Sequence, residues 1–421
     1  MPTKARLAIE GGTPAKKRKD PPMFPGGMAV GAEEEEAVLE VIRSRCLFRH
    51  YGPPPGPGKA AELEQAFAAF MGARYAIAVT SGTAALITGL QAIGVGPGDE
   101  VIIPAYTWIA SAAAVMAVGA VPVIAEVDET LTLDPADVER KITPCTRAIM
   151  PVHMRGVPCR MEELAAIARE HGCRLIEDTA QATGGSYRGR RLGTFGDVGC
   201  FSLQFNKIIT CGEGGMVLTD QEEVWKRALM YHDPVSALRF PPEETLAGVN
   251  YRLSELQAAV ALVQLRRLER LLEAMRERKR LLKSGLEPVV RRKGLAFREL
   301  ADPEGDTAIA LIFYAASPQK AQRIAEALNA ENIGAGVLYR PDQIDYHVYA
   351  HWAPVLEQRT WTPSGGPWRW ARRDIRYTPD MCPRSLDLLG RAVHLDVSPL
   401  LTNEDIEETL EGASRVLEAL A

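Results

Sequence analysis

The sequence predicts an α/β protein with a mostly parallel, seven-stranded sheet between helices, followed by a smaller α+β domain. Two observations support this fold class. Between residues 75 and 219, short apolar runs alternate with longer segments of helical spacing, which is typical of a parallel sheet covered on both faces. After residue 286 the composition changes, and a chain of 421 residues is long enough for two domains.

The first part of the chain is predicted to hold an arm and two helices. Residues 1–30 form the arm, and for its basic tetrad at residues 16–19 a solvated segment is favoured over a nuclear-import or polyanion-binding patch. Residues 31–45 and 60–71 have amphipathic helical spacing. Between them, residues 51–58 contain four prolines and three glycines and are predicted to be a loop.

The alternating region contains all seven strands of the predicted sheet. Helices are expected between them at residues 84–93, 108–118 and 162–171. The strands are predicted at residues 75–79, 100–104, 122–126, 147–152, 174–177, 198–203 and 216–219.

A long helical pattern at residues 252–286, ending near Gly285 and Pro288, is predicted to connect the two domains. Strands near residues 307–314, helices at 318–332 and 403–420, and a loop-rich, tryptophan-rich stretch at 346–377 follow it. The predicted division is therefore an arm at 1–30, a large domain at 31–251, a connecting helix at 252–286 and a small domain at 287–421.

Composition favours a small-molecule function. Charged residues make up 24% of the chain and the net charge is −5, so no electrostatic footprint for nucleic acid or acidic lipid is visible. No apolar run reaches the length of a membrane span, and the start has no apolar signal segment. The seven cysteines are scattered without a CxxC pair, which predicts no metal site, no disulfide framework and a cytoplasmic location.

Lys207 stands at the end of a predicted buried strand, beside a glycine-rich turn. Its neighbours are mostly apolar, and no acidic residue occurs within five positions on either side. Desolvation would lower the pKa of its amine and leave a nucleophile suited to Schiff-base chemistry with a carbonyl compound. The alternative is a lysine that extends its charge into water from a strand end, and this segment alone does not decide between the two.

Ser81, Gly82 and Thr83 lie between a predicted strand and a helix N-terminus. In sheets of this kind ligands bind beyond the carboxyl ends of the strands. Free backbone N–H groups, a glycine that permits close approach and two hydroxyls would make an anion site, most simply for a phosphate. A helix N-cap with a tight turn explains the same residues.

Two further residues follow predicted strands. Asp178 ends a mainly apolar strand, where a carboxylate is unfavourable unless a cation or strong donor meets it. A protonated pyridine nitrogen would be such a partner, and capping of a neighbouring turn is the alternative. Trp108 could stack on a flat ring or lie in the core. With the phosphate cup and Lys207, these residues fit one ligand, pyridoxal 5'-phosphate.

Six motifs carry a resemblance to a known family. The chain resembles the sugar aminotransferases of the DegT/DnrJ/StrS type, which are fold-type I pyridoxal-phosphate enzymes, from about residue 31 to the end. Residues 11–14, Gly-Gly-Thr-Pro, further resemble members that act on cyclitols and on aminohydroxybenzoate precursors. The six motifs are TSGTAA at 80–85, EDTAQ at 177–181, FSLQFNK at 201–207, GEGG at 212–215, NYRLS at 250–254 and LTNEDI at 401–406.

The resemblance implies roles for individual residues around the cofactor ring. It makes Lys207 the lysine that forms the Schiff base and Asp178 the partner of the pyridine nitrogen. Gln181 would lie beside the phenolic oxygen of the ring, and Trp108 over the ring face.

The resemblance also implies how the cofactor phosphate is held and how the chain assembles. Asn250 would reach the phosphate of the neighbouring subunit, so the active unit would be a homodimer. Without the resemblance, Asn250 could simply cap the long helix. The phosphate-binding residues of the same subunit would be Ser81, Gly82, Thr83 and Ser202.

Two positions depart from the family pattern. Many members that act on nucleotide-linked sugars carry a histidine three residues before the lysine, where this chain has Gln204. The substitution favours cyclitols or free keto sugars as substrates. Arg155 stands where an aromatic or other uncharged residue is common. It could clamp the carboxylate of an acidic acceptor or of the amino donor, or it could pair with Glu162 or Glu163.

The predicted reaction is a transamination from L-glutamate or L-glutamine to a keto group of a sugar or cyclitol, in secondary-metabolite or surface-glycan biosynthesis. The alternatives are an acidic keto or aldehyde sugar as acceptor, a dehydratase or regulator on the same fold, and a non-covalent binding module for a phosphorylated metabolite. Family dehydratases tend to replace the lysine with histidine, so Lys207 argues against that alternative. Residues 339–370 are expected to form the variable part of the pocket.

Overall fold

The computed structural model describes residues 6–50 and 58–421. Most of the predicted loop at 51–58 lies outside the described residues. From the arm to the end of the large sheet, the elements are α1 (Pro25–Met28), α2 (Ala32–Ser44), α3 (Lys59–Met71), β1 (Tyr75–Val79), α4 (Gly82–Ala92), β2 (Glu100–Pro104), α5 (Ala110–Ala117), β3 (Val121–Ala125), α6 (Pro135–Lys141), β4 (Thr146–Ile149), α7 (Met161–Glu170), β5 (Arg174–Asp178), β6 (Ser186–Tyr187), β7 (Arg190–Arg191), β8 (Val198–Ser202), β9 (Gly215–Thr219) and α8 (Glu222–His232).

The remaining elements begin with a helix of 38 residues. They are α9 (Glu255–Arg292), β10 (Ala296–Phe297), β11 (Ala310–Tyr314), α10 (Pro318–Ala330), β12 (Ala335–Val337), α11 (Ala353–Leu356), α12 (Pro383–Arg391), β13 (Ala392–Asp396) and α13 (Asn403–Leu420).

The large sheet has seven strands in the order β1-β9-β8-β5-β4-β2-β3. β9 pairs antiparallel with both of its neighbours, and the other neighbouring strands pair in parallel. The prediction of a mostly parallel, seven-stranded sheet is therefore confirmed. Because the parallel strands point the same way, their carboxyl ends meet along one edge.

Each face of this sheet is covered because side chains alternate across the strands. Ile77 and Val79 of β1 pack with the small-residue helix α4, whereas Ala76 and Ala78 pack toward α3 and α9. At the other side of the sheet, Ile102 joins a core formed with α6 and α7. Burial on both faces explains why these strands are apolar nearly throughout.

A second sheet of four antiparallel strands, in the order β10-β11-β13-β12, follows α9. Its core packs against the second half of α9, α10 and α13. The loop-rich stretch between β12 and α12 returns to the large sheet, where the amide of Thr107 donates to the carbonyl of His347 at 2.9 Å.

The predicted end of the long helix is wrong, because α9 continues through Gly285 and Pro288 to Arg292. Gly285 lies directly against α13, since a Cβ there would come within 2.5 Å of Leu410. Leu286 and Val289 of this last part are buried in the core of the second sheet. Proline removes one helical hydrogen bond, and the burial of these apolar side chains offsets that cost.

The predicted solvated character of the basic tetrad is also wrong at Lys16. The Lys16 side chain is fully buried, and its Nζ lies 3.1 Å from both Asp20 Oδ1 and Asp405 Oδ1. Lys17 and Arg18 pair with acids in the first turns of α13 while remaining largely exposed. The arm is therefore attached to the C-terminal helix by charge pairs that only the folded chain brings together.

Candidate active site

A cavity of about 530 Å³ lies at the carboxyl ends of the parallel strands of the large sheet. Its walls come from the turns after β1, β2, β5 and β8, from the arm, and from the loop that carries His347. Ten of the eleven residues singled out in the sequence line it: Ser81, Gly82, Thr83, Trp108, Arg155, Asp178, Gln181, Ser202, Gln204 and Lys207. Asn250 does not line it; this residue is exposed, and its side-chain oxygen accepts from the amide of Arg252.

Lys207 lies in the turn between β8 and β9 and extends into the cavity. Its amide donates to the carbonyl of Gln204 at 3.0 Å, and its carbonyl accepts from the amide of Gly26 at 3.4 Å. Burial lowers the pKa of the Lys207 amine, the Asp178 carboxylate opposes this shift, and the Arg155 guanidinium adds to it. The half-buried amine is thus closer to its neutral, nucleophilic form than a solvated lysine.

Asp178 is the last residue of β5 and is only 5% exposed. Its Oδ2 accepts from Ser111 Oγ at 2.8 Å, and its Oδ1 accepts from the amide of Ala180 at 3.1 Å. Burial raises the pKa of the carboxyl group, and these donors, together with Lys207, oppose that rise. The carboxyl group therefore caps a turn, as the alternative reading expected, and also faces the cavity.

The residues that were predicted to bind a phosphate line the cavity at the N-terminus of α4. The hydroxyl of Ser81 accepts from the amide of Ala84 at 3.0 Å, so this residue is the helix N-cap. The amides of Gly82 and Thr83 are at the first two helical positions, where no intrahelical acceptor exists. A Cβ on Gly82 would come within 2.8 Å of the Ser202 Cβ, so glycine is needed to bring the two backbones together beside the Ser202 hydroxyl.

A buried network beneath the cavity was not found from the sequence. Glu177 is fully buried and accepts from the amides of Gly193, Phe195 and Gly196 at 2.6–2.8 Å. It also lies 3.3 Å from His153 Nε2. The network ties the loop before β8 to the end of β5 and so fixes the strand end that carries Asp178. Its only sequence signal is a glutamate inside an apolar strand.

Trp108 is at the cavity mouth and is 46% exposed, so it is not a core residue. Its ring lies 4.9 Å from the His347 ring and 6.2 Å from that of Tyr346. The two residues come from the stretch 339–370 that was expected to form part of the pocket, and His347 lines the cavity.

The arm supplies a wall that the sequence did not reveal. Met23, Phe24 and Pro25 line the cavity, and the Phe24 ring lies 5.8 Å from that of Phe205. These residues stand far from the cavity motifs in the chain, and no periodicity or motif marks them. Thr107 and Ser111 were missed as well, although they follow the same strand as Trp108.

Arg155 lies in a short 3-10 turn, Met154–Gly156, with left-handed backbone angles of φ 53° and ψ 35°. Its amide donates to Gln181 Oε1 at 3.1 Å, and its Nε donates to the hydroxyl of Tyr106 at 3.3 Å. The alternative pairing with Glu162 or Glu163 is wrong, because neither forms an ion pair with Arg155 within the described residues, and Glu162 pairs with Arg188.

The residues present fit pyridoxal phosphate. The cradle between Gly82 and Ser202 leaves no room for a β-carbon but offers unpaired amides to a phosphate. Asp178 and Lys207 face the same cavity. Each favours the charged form of the other: the Asp178 carboxylate raises the pKa of the Lys207 amine, and Lys207 lowers the pKa of the Asp178 carboxyl group. Fold and site together define an enzyme of the pyridoxal-phosphate-dependent transferase class.

Comparison with known proteins defines the family. The model of the DegT/DnrJ/EryC1/StrS aminotransferase family matches residues 29–362. The chain belongs to this family and is a pyridoxal-phosphate-dependent aminotransferase.

Three similar proteins represent the family. The chain is 36% identical to L-glutamine:2-deoxy-scyllo-inosose aminotransferase of Micromonospora echinospora, with 97% of each chain covered. It is 46% identical to GDP-perosamine synthase of Caulobacter vibrioides, over 52% of this chain and 58% of that enzyme. The crystal structure of 3-amino-5-hydroxybenzoic acid synthase superposes with a TM-score of 0.77 at 28% identity, covering 96% of this chain and 100% of that one.

Within the part of the chain that the structure describes, no group of three or more histidine, cysteine or acidic side chains is arranged to hold a metal ion. Over the same residues, no helix has the length and apolarity needed to cross a membrane.

Proposed function

We propose that the enzyme transfers the amino group of L-glutamine or L-glutamate to the keto group of a sugar or cyclitol. The observation that carries this proposal is the single cavity in which a half-buried lysine amine, a buried carboxyl group and a helix N-terminus converge. The full-length similarity to an aminotransferase named for L-glutamine and a keto cyclitol supports both partners of the reaction.

Pyridoxal phosphate, when bound, supplies an aldehyde carbon that bonds to amines and a ring that accepts electrons from the adjacent carbon. The amides of Gly82 and Thr83 and the Ser202 hydroxyl would hold its phosphate. Asp178 would accept a hydrogen bond from the protonated ring nitrogen, Gln181 would lie by the phenolic oxygen, and Trp108 would cover the ring face.

Lys207 is the residue that moves protons. Its neutral Nζ takes the proton from the α-carbon of the amino donor, and later returns a proton to the carbon of the acceptor that carried the keto group. Phe24 of the arm and Trp108, which follows β2, line the cavity that holds this amine, where they would limit the access of water.

The acceptor is proposed to be a cyclitol or a free keto sugar. Gln204 lines the cavity three residues before Lys207, and its side-chain oxygen accepts from the amide of Asn206 at 2.8 Å. The side chain of Gln204 is neutral and offers no charge to a substrate phosphate, which agrees with a neutral polyol.

The active unit is proposed to be a homodimer in the cytoplasm. Asn250 is exposed and outside the cavity of its own chain, a position that leaves it free to complete the site of a partner. The division into an arm, a large domain, a connecting helix and a small domain is proposed as well. It is supported by the two separate sheets, which are linked by α9.

Replacing Lys207 tests the proposal. The purified protein is expected to be yellow and to bleach with borohydride. In Lys207→Ala the absorbance of the lysine-bound cofactor and the turnover are expected to disappear together, because no other lysine is among the described residues that line the cavity. The measurement is an absorbance spectrum combined with the release of 2-oxoglutarate or its amide. Turnover at the parent rate in the variant would disprove the assignment.

A further inference from the structure

Among the described residues, no carboxylate forms an ion pair with Arg155. Within residues 6–50 and 58–421, its side chain makes one hydrogen bond, from Nε to the Tyr106 hydroxyl. The remaining guanidinium nitrogens make no ion pair with any described acid. The side chain lines the same cavity as Lys207. A half-buried arginine is normally paired, so its free donors point to a ligand.

Two carboxylates, Asp345 and Asp396, act on the charge of Arg155. Asp345 accepts from the His347 amide at 2.9 Å and from the His347 ring at 2.8 Å. Asp396 Oδ1 lies 3.7 Å from the ring of His394 and makes no hydrogen bond within the described residues. Both carboxylates act on Arg155 through space, yet neither forms an ion pair with it. They compensate part of its charge and leave its donors available.

The backbone around Arg155 is fixed in a strained conformation. A left-handed φ of 53° in a residue with a side chain costs free energy and persists when neighbours impose it. Gln181 holds its amide at 3.1 Å. The buried Arg298 donates to the carbonyl of Met154 at 2.9 Å, and the amide of Thr307 donates to the carbonyl of Gly156 at 3.0 Å.

These contacts come from three separate parts of the chain. Arg298 and Thr307 belong to the region of the second sheet, and Gln181 follows β5 of the large sheet. The segment 154–156 is thus held by hydrogen bonds from both sheets. From this position the Arg155 side chain lines the cavity. Preorganisation of this kind is typical of residues that bind substrate.

We propose that Arg155 binds the carboxylate of a substrate in the cavity and so selects for carboxylate-bearing ligands. The planar guanidinium matches a carboxylate with two parallel N–H donors. The inference rests on the proposed transamination, since it names a chemical feature of that reaction's ligand. Two sources supply a carboxylate: the α-carboxylate of the amino donor and the acid group of an acidic keto sugar.

The experiment compares Arg155→Asn and Arg155→Lys with the wild-type holoenzyme. Asparagine tolerates left-handed backbone angles, so Arg155→Asn removes the charge at little backbone cost. Arg188→Asn is the matched control. Arg188 also has a left-handed φ, 49°, but it is exposed, pairs with Glu162 and lies outside the cavity. Circular dichroism and cofactor absorbance establish that each variant is folded and loaded.

The donor arm mixes holoenzyme with L-glutamine, or with L-glutamamide, which lacks the carboxylate, and follows cofactor absorbance against donor concentration. The acceptor arm mixes the amine-loaded enzyme with 5-keto-D-gluconate or with L-sorbose, its neutral counterpart. Calorimetry with glutarate, which has carboxylates and no amine, measures binding without turnover.

In Arg155→Asn we expect the apparent affinity for the carboxylate ligand to fall roughly 10- to 100-fold, with little change for the neutral counterpart. Arg155→Lys should lose less affinity for the carboxylate ligand, because lysine keeps the positive charge but lacks the two parallel N–H donors. A loss in the donor arm identifies the amino donor as the source, and a loss confined to the acceptor arm identifies an acidic acceptor.

Equal affinities of Arg155→Asn and wild type for every carboxylate, glutarate included, would overturn the inference. That result leaves the proposed function standing as long as the wild type converts an amino donor. If the wild type converts no amino donor, the proposed function itself fails, and glutarate binding then decides the role of Arg155 alone.

Discussion

The chemistry of the cavity depends on the charge state of single residues. Burial shifts the amine of Lys207 toward its neutral form, and three neighbouring charges act on its pKa. The Asp178 carboxylate raises this pKa and the Arg155 guanidinium lowers it. The Glu213 carboxylate has the smallest of these effects and raises the pKa. Asp178 and Arg155 are also proposed to bind ligands, so a substitution at either position is expected to change both ligand binding and the reactivity of Lys207.

The pH dependence of cofactor loading follows from these shifts. A lysine reacts with an aldehyde as the neutral amine, so the rate at which the cofactor-free protein takes up pyridoxal phosphate should rise with pH, with a midpoint below the ordinary lysine pKa of 10.5. Because Arg155 lowers this pKa, Arg155→Asn should move the midpoint to higher pH. Because Asp178 raises it, Asp178→Asn should move the midpoint to lower pH.

Stopped-flow absorbance across a pH series measures these midpoints, and Arg188→Asn is again the control that should leave the midpoint in place. Shifts of both variants in the same direction would contradict the assignment of opposite electrostatic effects.

At the scale of elements, the arm connects the C-terminal helix to the cavity. Near its start, Glu331 accepts from the amides of Ala8 and Ala15 and pairs with Arg415 at 2.7 Å. Next, Lys16 is buried against α13. The chain then reaches residues 23–25 in the cavity wall. The contacts with α13 therefore set the position of a segment that touches the substrate space.

Lys16→Met tests this connection. Removing one partner of a buried ion pair leaves Asp405 with less compensation, and we expect a loss of about 3 kcal/mol in the free energy of unfolding. The released arm should also raise the KM for substrate, because the cavity loses a wall. Lys19→Met is the control, since Lys19 is exposed and in the same basic tetrad.

Denaturant unfolding and steady-state kinetics on both variants provide the measurements. If Lys16→Met and Lys19→Met have the same stability and the same KM, the arm is not held by the buried lysine.

At the scale of the whole molecule, the cavity lacks a residue that the family pattern leads one to expect. Asn250 is on the surface, whereas the residues predicted to act with it lie at the carboxyl edge of the sheet. A second copy of the chain would supply Asn250 in trans, in keeping with the two-fold symmetry of most homodimers.

Mixing inactive subunits tests this arrangement. Lys207→Ala and Asn250→Ala homodimers should each be impaired. In a heterodimer, the site with an intact Lys207 receives Asn250 from the Lys207→Ala subunit and is complete. Refolding the two chains together should restore roughly a quarter of wild-type activity, because half of randomly mixed dimers are heterodimers and each has one intact site. Activity no higher than that of the separate variants would show that Asn250 does not act across subunits.

The sheet and most of the cavity could be predicted from the sequence because their signals are local. Apolar runs mark the strands, and the glycine-flanked turn near Lys207, the acid after β5 and the hydroxyl-rich helix start mark where polar groups follow them. Parallel strands align their carboxyl ends, so residues distant in sequence were expected at one edge, where the structure places them.

Only the tertiary structure determines how the arm is held and whether the charge of Arg155 is paired. Whether a lysine at position 16 is solvated or buried depends on Asp405, and whether Arg155 is paired depends on where Glu162 and Asp396 lie once the two sheets have packed. Asp405 is hundreds of positions from Lys16, and Asp396 is hundreds of positions from Arg155. Ion pairing is set by distance in space, which local sequence patterns do not contain. Local patterns determine strands, helices and strand-end chemistry, because these depend on residues a few positions apart.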